Sequence, residues 1–257
     1  MLTVISPAKS LDFESPAHTK RFSDPVFLSS SRELITELRK QSPAQISKLM
    51  KISPKLGELN AQRYKAWKPP FTPDNAKQAL LAFRGDVYMG LDTDTLTSRD
   101  LTFSQKHLRI LSGLYGVLKP LDLIQPYRLE MGTRFRNKRG KDLYEFWGER
   151  LTTAVREELS GHRNKTLVNL ASNEYFRSID AASLGHRIVT PVFKDYSNGT
   201  YRILSFFAKR ARGRMASHII RERINKPEDL KRFDLDGYRF AESLSDEDSW
   251  VFTRKGV

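Results

Sequence analysis

Residues His107–Leu123 read HLRILSGLYGVLKPLDL, and the architecture turns on how the glycines at 113 and 116 are understood. Ser98–Leu111 has helical spacing, which predicts a helix ending at Ser112-Gly113. A tight turn carrying Leu114 and Tyr115 follows, and Gly116 precedes another helical piece. Two short helices joined by a glycine turn, over about residues 104–124, have the outline of a helix–hairpin–helix. Such a turn lets main-chain N–H groups approach a phosphate, and the N-terminus of the next helix adds partial positive charge. The usual hairpin has one residue between its glycines; here Leu114 and Tyr115 make two. The alternative is an ordinary connection in which glycine caps a helix C-terminus.

The charge around this stretch is lopsided. The 257-residue chain holds 44 Lys and Arg against 30 Asp and Glu, a net +14. Residues 99–141 contribute +7, from ten basic and three acidic residues; Lys119, Arg128, Arg134 and Arg136 are among the ten. Residues 202–232 contribute another +7, with Lys209, Arg210, Arg212 and Arg214 crowding the start of a helix predicted over Phe207–Ile224. The remainder balances at 24 of each sign. Clustered positive charge is the footprint of a polyanion-binding surface, because each neutralised phosphate releases condensed counterions. Cations at a helix N-terminus oppose the helix dipole, and an anion would relieve them. Arg210, Arg214 and Arg221 share one side of that helix, leaving Phe206, Met215, Ile219 and Ile220 for the core. Tyr127–Gly132 and Arg134–Lys141 interleave bases with aromatics, a pattern for clamping phosphate and stacking on an exposed base. The competing reading of every such run is a solvated face. A membrane surface is disfavoured, since no stretch pairs these charges with a long apolar face.

Outward from the glycine turn, Leu2–Ser6 predicts a short buried strand ended by Pro7. Ser42-Pro43 and Ser53-Pro54 each place a capping hydroxyl before a proline at the first helical position. Ile46, Leu49 and Met50 then stripe one helix, and Leu56 and Leu59 the next. Ala82–Leu91 reads equally as strand or helix, and Asp142–Leu159 as one amphipathic helix stopped by Gly161. Thr166–Leu170 and Ile188–Phe193 are strand-length apolar runs. Tyr196–Gly199 is a turn leading into Tyr201–Phe206, and Tyr238–Ser243 with Trp250–Arg254 suggests a closing hairpin. With 39% hydrophobic residues, no repeat and no linker-like composition, the expected fold class is mixed α/β (α+β), one domain over residues 1–257.

The chain has no cysteine, which excludes disulfides, thiolate catalysis, iron–sulfur clusters and Cys-ligated zinc. Met1–Lys9 lacks the basic region and long apolar run of a signal peptide, so the cytoplasm is the expected location. The five histidines are scattered and no Glu-x-x-His occurs, so neither a metal site nor a cofactor is expected. Ser6-Pro-Ala-Lys9 matches S-x-x-K formally, but S-D-N and K-T-G companions are missing; Lys9 is better placed to meet an anion. Asn169–Tyr175 ends a strand in polar groups, where many α/β sites lie. Glu174 and Glu130 are the candidates there for proton transfer.

Several longer stretches together resemble the YaaA family of peroxide-stress-resistance proteins. They are ISPAKSLD (5–12), AFRGDVY (82–88), LSGLYGVLKPLD (111–122), QPYRLEMG (125–132), GKDLY (140–144) with FWG (146–148), NLAS (169–172) with Glu174-Tyr175, and PVF (191–193). The resemblance runs nearly end to end. It implies a cytoplasmic protein that limits hydrogen-peroxide damage to DNA and is linked to low free iron. It also implies a family-specific mixed α/β fold, with a positive cleft and a helix–hairpin–helix, that binds duplex and branched DNA. The glycine turn and the two basic segments give the candidate DNA contacts: Gly113, Leu114, Tyr115, Gly116, Lys119, Arg128, Arg134, Arg136, Lys209, Arg210, Arg212 and Arg214. The alternative is an enzyme acting on nucleic acid or a nucleotide, with Lys9, Arg84, Asp86, Glu130 and Glu174 converging in the cleft. An iron-binding protein is disfavoured by the missing Cys and Glu-x-x-His.

Overall fold

Short apolar runs supply the centre of the molecule. In the computed structural model, which describes residues 1–255, the main sheet begins with Leu2–Ile5 (β1), Leu108–Ser112 (β2), Gly116–Leu118 (β3) and Leu167–Leu170 (β4). Ile188–Ser197 (β5), Thr200–Arg202 (β6), Arg239–Phe240 (β7) and Ser249–Arg254 (β8) complete it. Its order is β7-β8-β5-β4-β1-β2-β3, with β6 hydrogen-bonded to β5. Strands β8, β5, β4, β1 and β2 run parallel, while β7 and β3 are antiparallel edges. β1, β2 and β4 are buried along their whole length, as parallel strands covered on both faces must be.

The helices that shape the surface are Leu28–Leu38 (α1), Pro43–Met50 (α2), Pro54–Ala66 (α3), Asp86–Leu91 (α4) and Ser98–His107 (α5). Leu143–Trp147 (α6), Arg150–Ser160 (α7), Asn173–Phe176 (α8) and Ser205–Arg221 (α9) follow. Strand alternation assigns the two faces. Val168 pairs with Val189, so Phe193 shares their face, and His218 of α9 reaches that face through Phe233. Val4 lies opposite both Arg109 and Asn169 on the other face, where Glu158 of α7 meets Arg109 at 2.5 Å. Helices α9 and α7 therefore sandwich the sheet. β2 and β4 flank β1 on its two sides, so the chain leaves β1 and β4 in opposite directions. A crevice at the C-terminal ends of such strands is where ligands of open α/β sheets usually sit.

The helix–hairpin–helix expected at 104–124 does not form. α5 ends at His107, and Leu108–Ser112 pairs antiparallel with Gly116–Leu118 as a β-hairpin. Every residue of β2 is buried, so its apolar run carries no solvent-facing gap from which sequence could tell a period of 2 from one of 3.6. The turn is equally enclosed. Leu114 and Tyr115 are fully buried, and the Trp147 indole N–H donates to the Gly113 carbonyl at 3.0 Å. Gly116 adopts φ +73, with Trp147 and Leu151 packed where a side chain would lie.

Other boundaries move for local reasons. The predicted helix Asp142–Leu159 breaks into α6 and α7 at Gly148, whose φ is +50. α9 starts at Ser205, so Phe206 falls on its first, solvent-facing turn and is 54% exposed rather than buried. Strand β6 is correspondingly shorter than Tyr201–Phe206. α3 buries Gly57, Asn60, Ala61 and Tyr64, leaving Leu59 exposed. The Ser-Pro helix starts hold. Ser42 forms a reciprocal capping box with Gln45, and the Ser53 hydroxyl accepts from Leu56 N–H at 3.4 Å. Removing that acceptor in Ser53→Ala should lower stability by about 1 kcal/mol. For a chain of this size that is a fall of roughly 2–4 °C in a thermal melt.

Candidate nucleic-acid interface

The ends of β1 and β4 are pinned together. Ser6 Oγ accepts from Ser172 N–H at 2.9 Å, and the buried Tyr88 hydroxyl donates to the Ser6 carbonyl at 3.1 Å. Lys9 and Glu174 emerge just beyond. Lys9 Nζ stands 3.7 Å from Glu130 Oε1, which Arg128 also holds through Nε at 3.0 Å and Nη2 at 2.9 Å. Gly132 N–H donates to Glu174 Oε1 at 2.9 Å, fastening the 128–134 segment across the strand ends. Tyr64 anchors its other side by donating to the Arg128 carbonyl, and burial keeps that phenol protonated by raising its pKa.

A cavity of 570 Å³ opens here, lined by Lys9, Leu49, Met50, Lys51, Glu130, Gly132, Thr133, Arg134 and Glu174. It shares Gly132 and Arg134 with a 530 Å³ neighbour that adds Lys141, Asp142, Tyr144 and Arg177. The two form one groove. Thr133 and Phe135 are buried while Arg134 and Arg136 are exposed, so alternation along this segment turns both guanidiniums outward. Neither has a carboxylate within 4.0 Å among the described residues.

The wall of the first cavity is a pair of short helices joined by a tight turn. α2 and α3 are linked by Lys51-Ile52-Ser53, with Lys51 in the left-handed region at φ +54. They approach closely because Gly57 faces Ser47 and Pro43; a Cβ there would fall 2.0 Å from Ser47 Oγ. Lys48, Lys51 and Lys55 are exposed around the turn. Two short helices with a tight link, expected at 104–124, are found instead at 43–66. Its sequence signal is the repeated Ser-Pro, and it lacks the paired glycines of residues 113–116.

Of the five residues expected to converge, Lys9, Glu130 and Glu174 do. Arg84 instead pairs with Asp12 at 3.1 Å and Asp94 at 3.0 Å, and neither it nor Asp86 lines this cavity. Hydrogen bonds from Ser15, then the Lys77 ammonium, hold the Asp12 carboxyl well below the usual range despite opposing desolvation. Lys119 lies at the far end of the sheet, beside Met1 and His107. The second basic segment is partly paired within the protein. Arg214 meets Asp236 at 3.2 Å, Arg221 meets Asp92 at 3.5 Å and Arg223 meets Asp100 at 2.8 Å. Lys209 and Arg210 stay exposed, whereas Arg212 is half-buried and its pKa is lowered by that burial. Among the described residues no cluster of three or more His, Asp or Glu side chains could hold a metal ion.

A profile of the family described as "Peroxide stress protein YaaA" matches residues 1–244. The chain belongs to the YaaA family. It is 59% identical over 255 residues to a protein of Ralstonia pickettii named only "UPF0246 protein", and 57% identical to one of Cellvibrio japonicus; each alignment covers 99% of both chains. A Teredinibacter turnerae protein of the same description is 56% identical and wholly covered. The family name ties this YaaA-family chain to peroxide stress. No helix among its described residues is long and apolar enough to cross a membrane.

Proposed function

We propose that this YaaA-family chain is a cytoplasmic DNA-binding protein of the peroxide-stress response, gripping duplex and branched DNA mainly by the phosphate backbone and shielding it from peroxide- and iron-driven damage. The observation that carries this reading is the groove at the ends of β1 and β4. There Lys51 of the α2–α3 turn lines the same cavity as Lys9 and Arg134, from distant parts of the chain, and Lys48 and Lys55 are exposed around that turn. Lys48, Lys51, Lys55 and Arg134 are exposed with no carboxylate within 4.0 Å among the described residues, so they are free to neutralise phosphates. Backbone contacts hold a duplex in register without reading its sequence. Duplex affinity should therefore fall steeply with salt and change little with base sequence. About six phosphate contacts would give a log–log slope of roughly −5. A flat salt response, or one strongly favoured sequence, rules the reading out.

A second reading, chemistry on a nucleic acid or nucleotide, draws on the convergence of Lys9, Glu130 and Glu174 in one cavity. Its test is turnover of DNA or a nucleotide that Glu130→Gln abolishes while DNA affinity persists.

A further inference from the structure

A further cavity, of 870 Å³, lies at the opposite end of the sheet, where β1 and β2 begin. Five cations from four stretches of chain line it: Lys106 at the end of α5 and Arg109 on the adjoining β2, Lys119 after β3, Arg163 after α7 and Lys226 after α9. Its only acidic lining residue is Glu158, already engaged by Arg109 at 2.5 Å. The other four cations have no carboxylate within 4.0 Å among the described residues. Gathering unpaired like charges around one concave site is unfavourable unless an anion offsets their repulsion.

The polar lining suits such a ligand. Asn164, Asn225 and Gln105 add amides, and His107 and His162 stand with ring centroids 4.9 Å apart. His107 Nδ1 lies 2.9 Å from the Met1 carbonyl, which can only accept, so that nitrogen carries the proton. Burial pushes the His162 imidazole down to about 4, and the Met1 amine, His107 and Arg109 push the same way. The adjoining 340 Å³ cavity shares Arg109, Lys119 and Glu158 and adds the acids Asp122 and Glu157. Asp122 is occupied by Ser23 Oγ at 2.6 Å and Lys119 N–H at 2.8 Å.

We propose that this cavity binds a compact cluster of phosphate groups, at a site separate from the groove and independent of it. The volume falls in the range of small-molecule sites. The phosphates belong either to a free polyphosphate or nucleotide, or to a nucleic-acid strand crossing this end of the sheet.

Inorganic triphosphate titrated into the full chain provides the test, with calorimetry and NMR titration of the histidines as readouts. Saturable one-to-one binding is expected, with the His162 pKa rising, because nearby negative charge favours the imidazolium. Lys119→Gln with Arg163→Gln should weaken binding by about tenfold or more, since charge-assisted contacts are lost. Circular dichroism confirms the fold of that variant. Unchanged duplex affinity in the same variant assigns the site to a free anion. Weakened duplex binding, with triphosphate competing, assigns it to nucleic-acid phosphates. No saturable triphosphate binding overturns the proposal, as does binding that leaves His162 unmoved and survives both substitutions.

Discussion

Gly213→Val is expected to cost about 3–4 kcal/mol and to lower the melting temperature by roughly 8–12 °C. Helices α4 and α9 cross with their backbones in contact, and two glycines permit it. A Cβ on Gly213 would fall 1.9 Å from the Val87 carbonyl oxygen and 2.8 Å from Leu91 N. Reciprocally, a Cβ on Gly90 would fall 2.1 Å from the Arg210 carbonyl oxygen. The obstructing atoms are main chain, so no rotamer change relieves them and the helices must separate. α9 also covers β5 and carries Lys209 and Arg210, so the damage would reach both core and surface. Gly161→Ala is the control: its φ is −78 and the nearest atom to the new Cβ is 3.5 Å away, so a change under about 1 kcal/mol is expected. Thermal denaturation of the two variants decides the matter. A Gly213→Val melt within about 2 °C of the parent would mean that the crossing relaxes without loss.

Reversing charge at the groove should have the largest effect on DNA. Lys51→Glu together with Arg134→Glu removes two cations that line the same cavity from segments over eighty residues apart. Each lost phosphate contact is worth about a tenfold change at moderate salt, and reversal adds repulsion, so duplex affinity should fall about 100-fold or more. The salt slope should become shallower by about two, and all DNA sequences should be affected alike. Both side chains are exposed, so the melting temperature should stay within about 2 °C. Arg214→Glu is an informative contrast. It breaks the contact with Asp236 at 3.2 Å, so it should cost stability more than DNA affinity. A folded Lys51/Arg134 double variant that binds duplex like the parent removes the groove from consideration.

Legibility followed the range of the interactions. The Ser42-Pro43 and Ser53-Pro54 helix starts were readable because a cap is made within three residues of itself. The Asn198-Gly199 turn and the closing pair β7–β8 were readable because left-handed glycine and alternation are local properties. The identity of β2 was not, because its polar residues Arg109 and Ser112 are buried like the rest, so polarity does not mark a solvent-facing period. Nor was the break at Gly148, where α6 must turn so that Trp147 can cover Gly113 and Gly116. The cavity beyond the ends of β1 and β4 was half legible. Lys9, Glu130 and Glu174 are legible as candidates for chemistry and Arg134 as a phosphate contact, whereas Lys51 belongs to neither basic segment and nothing in its local sequence marks it.

By itself the sequence determined the composition-level facts: no thiol chemistry, a +14 charge in two segments, one mixed α/β domain and the YaaA likeness. The tertiary structure decided what that charge is worth. A sequence counts Arg221 and Arg223 as surplus because Asp92 and Asp100 lie over a hundred residues away; folding sets them 3.5 and 2.8 Å apart. It also splits the first segment between two ends of the sheet, sending Lys119 to one and Arg134 to the other. Coulomb interactions fall with distance in space and are screened beyond about 10 Å. Only the fold determines which charges are neighbours.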